Sequence, residues 1–523
     1  MISDFRHYDS EQPLRADVCI VGAGATGIAT AVALSKTNFT IIMIEGGGYS
    51  YSAESRSLYQ CSVSGLRYAF DEGRARVLGG TTTLWGGQAS PFLPLDFEAR
   101  QWVSHSGWPL TLDHLQPYFP RVDDFMGIPH SSHDERTWVG PPPPFLDPES
   151  FHFIYSQFSA QPNLANKYGS FLKTSGRLQV FVNANATYFD VNPSGSRVAS
   201  LNVATLEGKS ARIQARYFVM CCGAIENARL LLCSNQTVSA GLGNEGDWVG
   251  RCFQDHLHMR AAPIVPTSRD RFTQHFGTLI RSGVKMCPKI VTSRRFQEKH
   301  QILHVACDVT TRPDERSPLK SAQVLVNAVR KPVARSQLVK ASLGAVKGSG
   351  ELARILWSRV VQGRVTFPSR SELYLGIQCE TEPNPNSRIR LSQDRDRLGF
   401  QKADIDWRLT GLEARTIDIF VRSIDEEFRR LGLAKLDLGQ FFVPGDPSRL
   451  DEVAGGGHHP MGTTRMSQSP GDGVVNTDCR VHGIDNLYVG STSVFPTGSF
   501  SNPTYNAMAC CFRLADHLAK DSR

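Results

Sequence analysis

Residues 17–45 constrain the fold more than any other part of this chain. Asp17-Val18-Cys19-Ile20-Val21 is a short, largely apolar run that reads as a buried parallel strand. It leads into Gly22-Ala23-Gly24-Ala25-Thr26-Gly27, and the small residues from Ala29 to Leu34 then continue as a helix. Thr40-Ile41-Ile42-Met43-Ile44 reads as a second strand ending in Glu45. Gly22 lets the strand turn sharply, Gly24 lets backbone approach a pyrophosphate at the helix N-terminus, and Gly27 lets helix and strand pack closely. Glu45 follows Gly27 by eighteen residues, where a carboxylate can accept both hydroxyls of an adenosine ribose and disfavours a 2′-phosphate. A lone glycine triplet is weak; strand, glycines, helix, strand and acid in order are specific. The fingerprint candidates for nucleotide contact are Gly22, Gly24, Ala25, Thr26, Gly27 and Glu45.

A second glycine-rich stretch, Arg76-Val77-Leu78-Gly79-Gly80-Thr81-Thr82-Thr83-Leu84-Trp85-Gly86-Gly87-Gln88, carries hydroxyls and one tryptophan. Such a loop can lay backbone amides along a long, flat, phosphorylated ligand. A nicotinamide that must come and go has little need of this wrapping, whereas a resident flavin does. Arg76, Gly79, Gly80, Thr81, Thr82, Trp85, Gly86 and Gly87 join the cofactor candidates. At the other end lie Gly455-Gly456-Gly457-His458-His459-Pro460-Met461-Gly462-Thr463-Thr464-Arg465-Met466 and Asn502-Pro503-Thr504-Tyr505. A chain with a cofactor fingerprint first and an imidazole–amide pair last must close on itself, so its ends share one core.

These pieces in this order resemble the glucose–methanol–choline (GMC) FAD-dependent oxidoreductases, most nearly the branch with pyranose oxidases and sugar or polyol dehydrogenases. Further matching segments are Val219 to Asn227, Val249-Gly250-Arg251 with Asp255-His256, and Pro383 to Ile389; family-type segments cover roughly half the residues. The resemblance implies FAD as cofactor, with Gly223, Gly490, Ser491, Pro503 and Thr504 added to its contacts. It also implies hydride transfer from a CH–OH carbon to flavin N5, with His459 taking the hydroxyl proton and Asn502 orienting the alcohol. A neutral imidazole suits that role and an amide cannot compete for the proton. His458 is the lesser candidate for base; Arg465, Ser491 and Thr492 read as loop ties or flavin contacts. Pyranose oxidases commonly carry a flavin-linking histidine where this chain has Leu84, so non-covalent FAD is expected. Oxygen, a quinone or a separate redox protein all remain open as electron acceptor.

The expected fold is α/β (α+β): a discontinuous Rossmann-like FAD-binding domain and a second, substrate-binding domain built on a β-sheet flanked by helices. The expected boundaries are 1–105, 171–258 and 452–523 for the FAD-binding domain, 106–170 for a connecting segment and 259–451 for the substrate domain. Within these, 178–191 reads as one strand, 201–220 as a hairpin, Gln323 to Val329 and Glu372 to Glu380 as β-like runs, Thr416 to Leu431 as a surface amphipathic helix, and Pro141 to Pro144 as a semi-rigid link. Twelve cysteines lack any CxxC pair and read as reduced core thiols, and no His/Cys cluster at metal-ligand spacing stands out. The net charge of +7 is concentrated in 330–370, where nine Lys or Arg meet only Glu351; the rest of the chain is near neutral, which argues against nucleic-acid binding. That stretch is a candidate docking surface for an acidic partner, an anionic substrate or a membrane surface. No apolar run is long enough for a membrane span, and the polar, mixed-charge Met1 to Arg15 points to a cytoplasmic protein. Competing readings are a non-redox flavin-containing lyase, an oxidoreductase of a sterol-type alcohol, and a silent flavin-binding subunit.

Overall fold

The structure is a computed structural model that describes residues 1–9, 12–130, 145–281, 283–312, 317–328, 335–369 and 371–521; Pro141 to Pro144 and the first residues of the basic stretch lie outside them. The fingerprint folds as expected. Leu14–Val21 is a strand, Gly24 is the N-cap of helix Ala25–Leu34, and Ile41–Ile44 pairs parallel with the first strand. This unit nucleates a sheet ordered Ile2–Asp4, Leu178–Val182, Ile41–Ile44, Leu14–Val21, Ser210–Met220, with Leu487–Val489 parallel to the last of these. The antiparallel hairpin Val198–Ala204 with Ser210–Met220, as expected from 201–220, carries Asn185–Val191 at its outer edge. Segments from the start, middle and end of the chain thus share one parallel sheet. Helix Thr504–Asp521, almost wholly buried over its first eight residues, packs on helix Ala25–Leu34 and closes the two chain ends together.

A second sheet is antiparallel throughout, in the order Ala434–Leu436, Leu257–Pro266, Glu372–Cys379, Val305–Arg312, Val284–Thr292, Phe151–Phe158, Gln88–Ala89. Helix Leu412–Arg430 covers part of it, burying Ile417, Phe420, Val421, Ile424 and Phe428 at helical spacing while its arginines stay in water. The expected surface helix is therefore a half-buried sheet cover.

Two expectations fail locally. Segment 178–191 is two strands, because Asn183 adopts φ 58° and its N–H bonds Gly47 O; asparagine tolerates this left-handed turn, which sends the chain from the parallel sheet to the hairpin. The β-like run from Gln323 lies in helix Pro318–Ala328, with Val329 outside the described residues. Proline at the first helical position and close approach of helix Arg335–Lys347 override the β-branched composition. A Cβ at Gly344 would stand 2.4 Å from Ser321 Oγ, and one at Gly348 would stand 2.1 Å from Pro318 Cγ. Among the described residues, no helix is long and apolar enough to cross a membrane. All twelve cysteines are free, nine of them buried.

Candidate active site

A cavity of about 830 Å³ runs along the ends of the parallel strands. One part is walled by Gly22, Gly24, Ala25, Thr26 and Glu45, and another by Arg76, Gly80, Thr81, Thr82, Trp85, Gly86 and Gly87. Gly223, Ser491, Pro503 and Thr504 line it as well, and His459 and Asn502 stand in its wall. Three expected contacts stand behind the wall instead. A Cβ on Gly27 would lie 2.0 Å from Gly22 O, so that glycine serves helix–strand packing. Gly79, at φ 96°, donates to Ala23 O, and Gly490 packs against the sulfurs of Cys221 and Cys511.

The cavity suits an elongated anionic ligand. Helix Ala25–Leu34 begins at Gly24 with no side-chain cap and no acid in its first turn, so its first amides are free for a phosphate. Helix Ala224–Cys233, also uncapped by a side chain, begins at Gly223 on the same cavity, and helix Thr504–Asp521 turns its N-terminus to it. Three helix N-termini therefore place partial positive charge on one chamber. Gly80 and Gly24 face each other so closely that a Cβ on Gly80 would stand 2.9 Å from Gly24 Cα. Glu45 is buried and accepts N–H from Ala23 (3.0 Å) and Gly47 (2.9 Å), leaving further lone pairs for ribose hydroxyls. These features fit FAD: Glu45 for the ribose, the Gly24 helix end and Arg76 for the pyrophosphate, and the Trp85–Gly87 and Thr504 regions for the flavin end.

Several lining residues, Glu226 apart, have no motif around them. Tyr59 has two cations over its ring, with Arg74 4.2 Å and Arg76 5.1 Å from the centroid, and burial pushes its hydroxyl up to about 12. Arg74 pairs with Glu226 at 3.0 Å and Arg229 with Asp396 at 2.5 Å. Loops that only tertiary structure joins bring these together.

The histidines meet through an antiparallel run. Leu257 pairs with Gly456, Gly457 N–H donates to His256 O (2.7 Å), and Gln254 and Met461 exchange backbone bonds. Asp255 Oδ1 accepts from His256 N (2.7 Å) and His459 N (2.8 Å), fixing the two histidine backbones to one carboxylate. His459 Nδ1 is 2.9 Å from His256 Nδ1, and Asn502 Nδ2 donates to His459 Nε2 at 3.0 Å. Burial first, then the neighbouring His256 and His258, push the His459 imidazole well below its ordinary range, so it is neutral at physiological pH. His458, by contrast, sits at φ 57°, which turns its side chain to the hydroxyl of Tyr68 at 2.8 Å. Ser491 Oγ and Thr492 Oγ1 bond within the neighbouring loops, and Arg465 reaches His105 O, so these are ties.

His256, His258 and His459 form the one three-residue group with metal-ligating atoms close together among the described residues. Sequence spacing hid it, because His256 just precedes strand Leu257–Pro266, His258 lies on it, and His459 stands two hundred positions away. The 2.9 Å nitrogen–nitrogen contact is shorter than about 3.3 Å, the edge of a tetrahedron with bonds of about 2.0–2.1 Å, and marks a shared proton. His258 follows His256 by two positions, and their rings lie near parallel with centroids 6.5 Å apart.

A GMC oxidoreductase family model matches residues 383–511. The chain is 24% identical to 6'''-hydroxyparomomycin C oxidase of Streptomyces lividus, over 98% of this chain and 95% of that protein. It is 20% identical to the fructose dehydrogenase large subunit of Gluconobacter japonicus, over 98% and 99%. Its fold matches pyridoxine 4-oxidase from Mesorbium loti with a TM-score of 0.57 at 17% identity, over 96% of this chain and 98% of that one. With the glycine cradle, the two sheets and these likenesses in view, the chain is an oxidoreductase similar along its length to GMC oxidoreductases, and its cavity fits their FAD.

Proposed function

We propose that this oxidoreductase converts a CH–OH group of a sugar, glycoside or polyol to a carbonyl, with His459 as the base for the hydroxyl proton. The observation that carries the reading is the 3.0 Å contact between Asn502 Nδ2 and His459 Nε2 in the wall of the cofactor cavity. An alcohol is far too weak an acid to lose its proton to water at neutral pH, so a neutral imidazole must receive it as the C–H bond breaks. Bound FAD supplies the acceptor for the hydride. Asn502 Oδ1 is buried without a hydrogen-bond partner, so it can take up a substrate donor without ever competing as a base. Leu84 lies at the cavity with 56% of its surface exposed and can form no bond to the cofactor, in keeping with FAD held by non-covalent contacts alone.

A smaller cavity of about 500 Å³ that reaches His258 supports this substrate class. Arg260, Gly376 and Asp308 form one cross-strand row of the second sheet, and His258, Gln378 and Ala306 the next. Arg260, Asp308, Lys289 and Thr310 line that cavity, and Thr310 Oγ1 and His258 Nε2 are buried without partners. A polyhydroxylated substrate can satisfy these groups, whereas a sterol would desolvate them uncompensated. The test is a screen of sugars, glycosides, polyols and sterols with a dye acceptor, in air and without it. Polyhydroxylated substrates should bleach the flavin anaerobically; turnover without bleaching would instead mark a lyase, and bleaching by sterols alone would overturn the substrate class. His459→Ala and Asn502→Ala should each keep bound FAD and lose the reductive rate by about a hundredfold.

The basic stretch is a docking surface, and an anionic membrane surface fits it best. On helix Arg335–Lys347, Val339, Leu343 and Val346 make one outward stripe, 54%, 57% and 72% exposed, with Lys340 and Lys347 beside it and Ala341 buried opposite. On helix Ser349–Val360, Leu356 and Trp357 are 62% and 61% exposed. Apolar stripes flanked by lysine, with a tryptophan nearby, are the features of interfacial helices. Sedimentation with phosphatidylserine-containing vesicles should exceed that with phosphatidylcholine alone and fall with salt; equal sedimentation in both ends this reading.

A further inference from the structure

We infer that His256 is a positioning residue that fixes which ring nitrogen of His459 carries the proton, so that the lone pair lies at Nε2, where Asn502 Nδ2 holds it until substrate takes its place. The chain of reasoning starts at backbone. His256 Nε2 lies 2.8 Å from Ser499 O and 3.2 Å from Gly498 O. Carbonyl oxygens only accept, so this nitrogen bears the hydrogen. A neutral His256 then has its lone pair at Nδ1, and burial keeps the ring neutral by holding it down to about 4. His459 Nδ1, 2.9 Å away, must donate into that lone pair, which leaves His459 Nε2 bare.

The far end of the network is consistent with this. Asn502 presents its amide nitrogen to His459 Nε2 at 3.0 Å. Turning the amide over would require a hydrogen on Nε2 and would set two lone pairs against each other at the 2.9 Å contact between the rings. On the other flank, Lys289 is 4% exposed and donates to Gln378 Oε1 at 3.1 Å, which orients that amide so that Gln378 Nε2 faces His256 Nδ1 at 3.2 Å. A fixed donor on that side again demands an acceptor at His256 Nδ1. The carbonyls that begin the chain are themselves held. Ser499 donates its N–H to Glu380 at 3.3 Å and its hydroxyl to Asp96 at 2.8 Å, inside a fully buried cluster.

The inference rests on His459 being the base, and the two can fail separately. The direct readout is the ring tautomer in protein carrying 15N-labelled histidine, by long-range proton–nitrogen correlation, with His459 identified from the signals lost in His459→Ala. The expected pattern has the proton on Nδ1 of His459, in the protein with or without FAD; a proton on Nε2 overturns the inference whatever the activity. The kinetic readout uses two variants. His256→Leu removes the acceptor and should slow flavin reduction at least about tenfold, with KM and FAD content changed less than about threefold. His256→Asn can present an amide oxygen near the place of Nδ1 and should recover most of that rate. An unchanged rate in His256→Leu, or equal loss in both variants, would reduce His256 to a packing residue. An undiminished rate in His459→Ala would sink the assignment of the base and leave the tautomer result standing.

Discussion

At His459 the decisive quantity is the free energy of carrying a charge, and the surroundings are all set against it in the resting state. Burial is the main reason its imidazole lies well below the ordinary range, and His256, His258 and Lys289 act in the same direction. His258 itself is held down to about 3, again by burial. A base must be neutral to accept a proton, so a lowered value moves the acid limb of the rate profile downward. The reductive rate should therefore show no loss as pH falls through about 6.5, where a free imidazole titrates, and should fall only in more acid solution. A limb centred near the free value would contradict the burial argument. The sequence made His459 and Asn502 legible because their motifs surround them. His256, Gln378 and Lys289 were not legible as a set, since hydrogen-bond direction depends on atoms brought together from separate strands.

Among the elements, the strand–glycine–helix unit was legible in nearly full detail because its interactions are local. The strand, the turn and the helix N-terminus lie within one stretch, and each glycine answers a clash a few residues away. Gly27→Ala puts the point most directly. The new Cβ would stand 2.0 Å from Gly22 O, and the helix must shift off the strand. Destabilisation of at least about 1–3 kcal/mol is expected, with lower FAD occupancy, read by the melting midpoint and the flavin-to-protein absorbance ratio. A midpoint matching the unmodified protein would mean the turn relaxes more freely than its packing implies. The run from Gln323 shows the opposite case. Its β-branched residues favour a strand, yet contact with a neighbouring helix at Gly344 and Gly348 makes it helical.

Across the molecule, a buried ionic cluster that no motif announces ties loops from both ends of the chain to the edge of the second sheet. Arg100 binds Glu380 through both nitrogens, at 2.8 and 2.7 Å, with side chains 1% and 0% exposed. His304 meets Asp96 at 2.6 Å, and although burial would raise this carboxyl, His304 and Arg100 hold it below its ordinary value. Arg100 and Asp96 come from the first quarter of the chain, His304 and Glu380 from the second sheet, and Ser499 from the end. Removing one partner leaves a charge buried and unpaired. Arg100→Met should cost about 3–5 kcal/mol, seen as a lower denaturant midpoint, with disturbed positioning of Ser499 and hence slower turnover in the protein that remains folded. Retention of both midpoint and rate would show that the cluster relaxes or takes in water.

The amino-acid sequence alone determined the parallel nucleotide-binding unit, the glycine cradle and the imidazole–amide pair, because short-range sterics and hydrogen-bonding valence are written in neighbouring residues. The tautomer inferred for His459, the polar strand face proposed to meet the substrate, and the hold of three distant segments on one carbonyl depend on tertiary structure. Those properties depend on the relative orientation of groups hundreds of residues apart, and only the packed sheets set it.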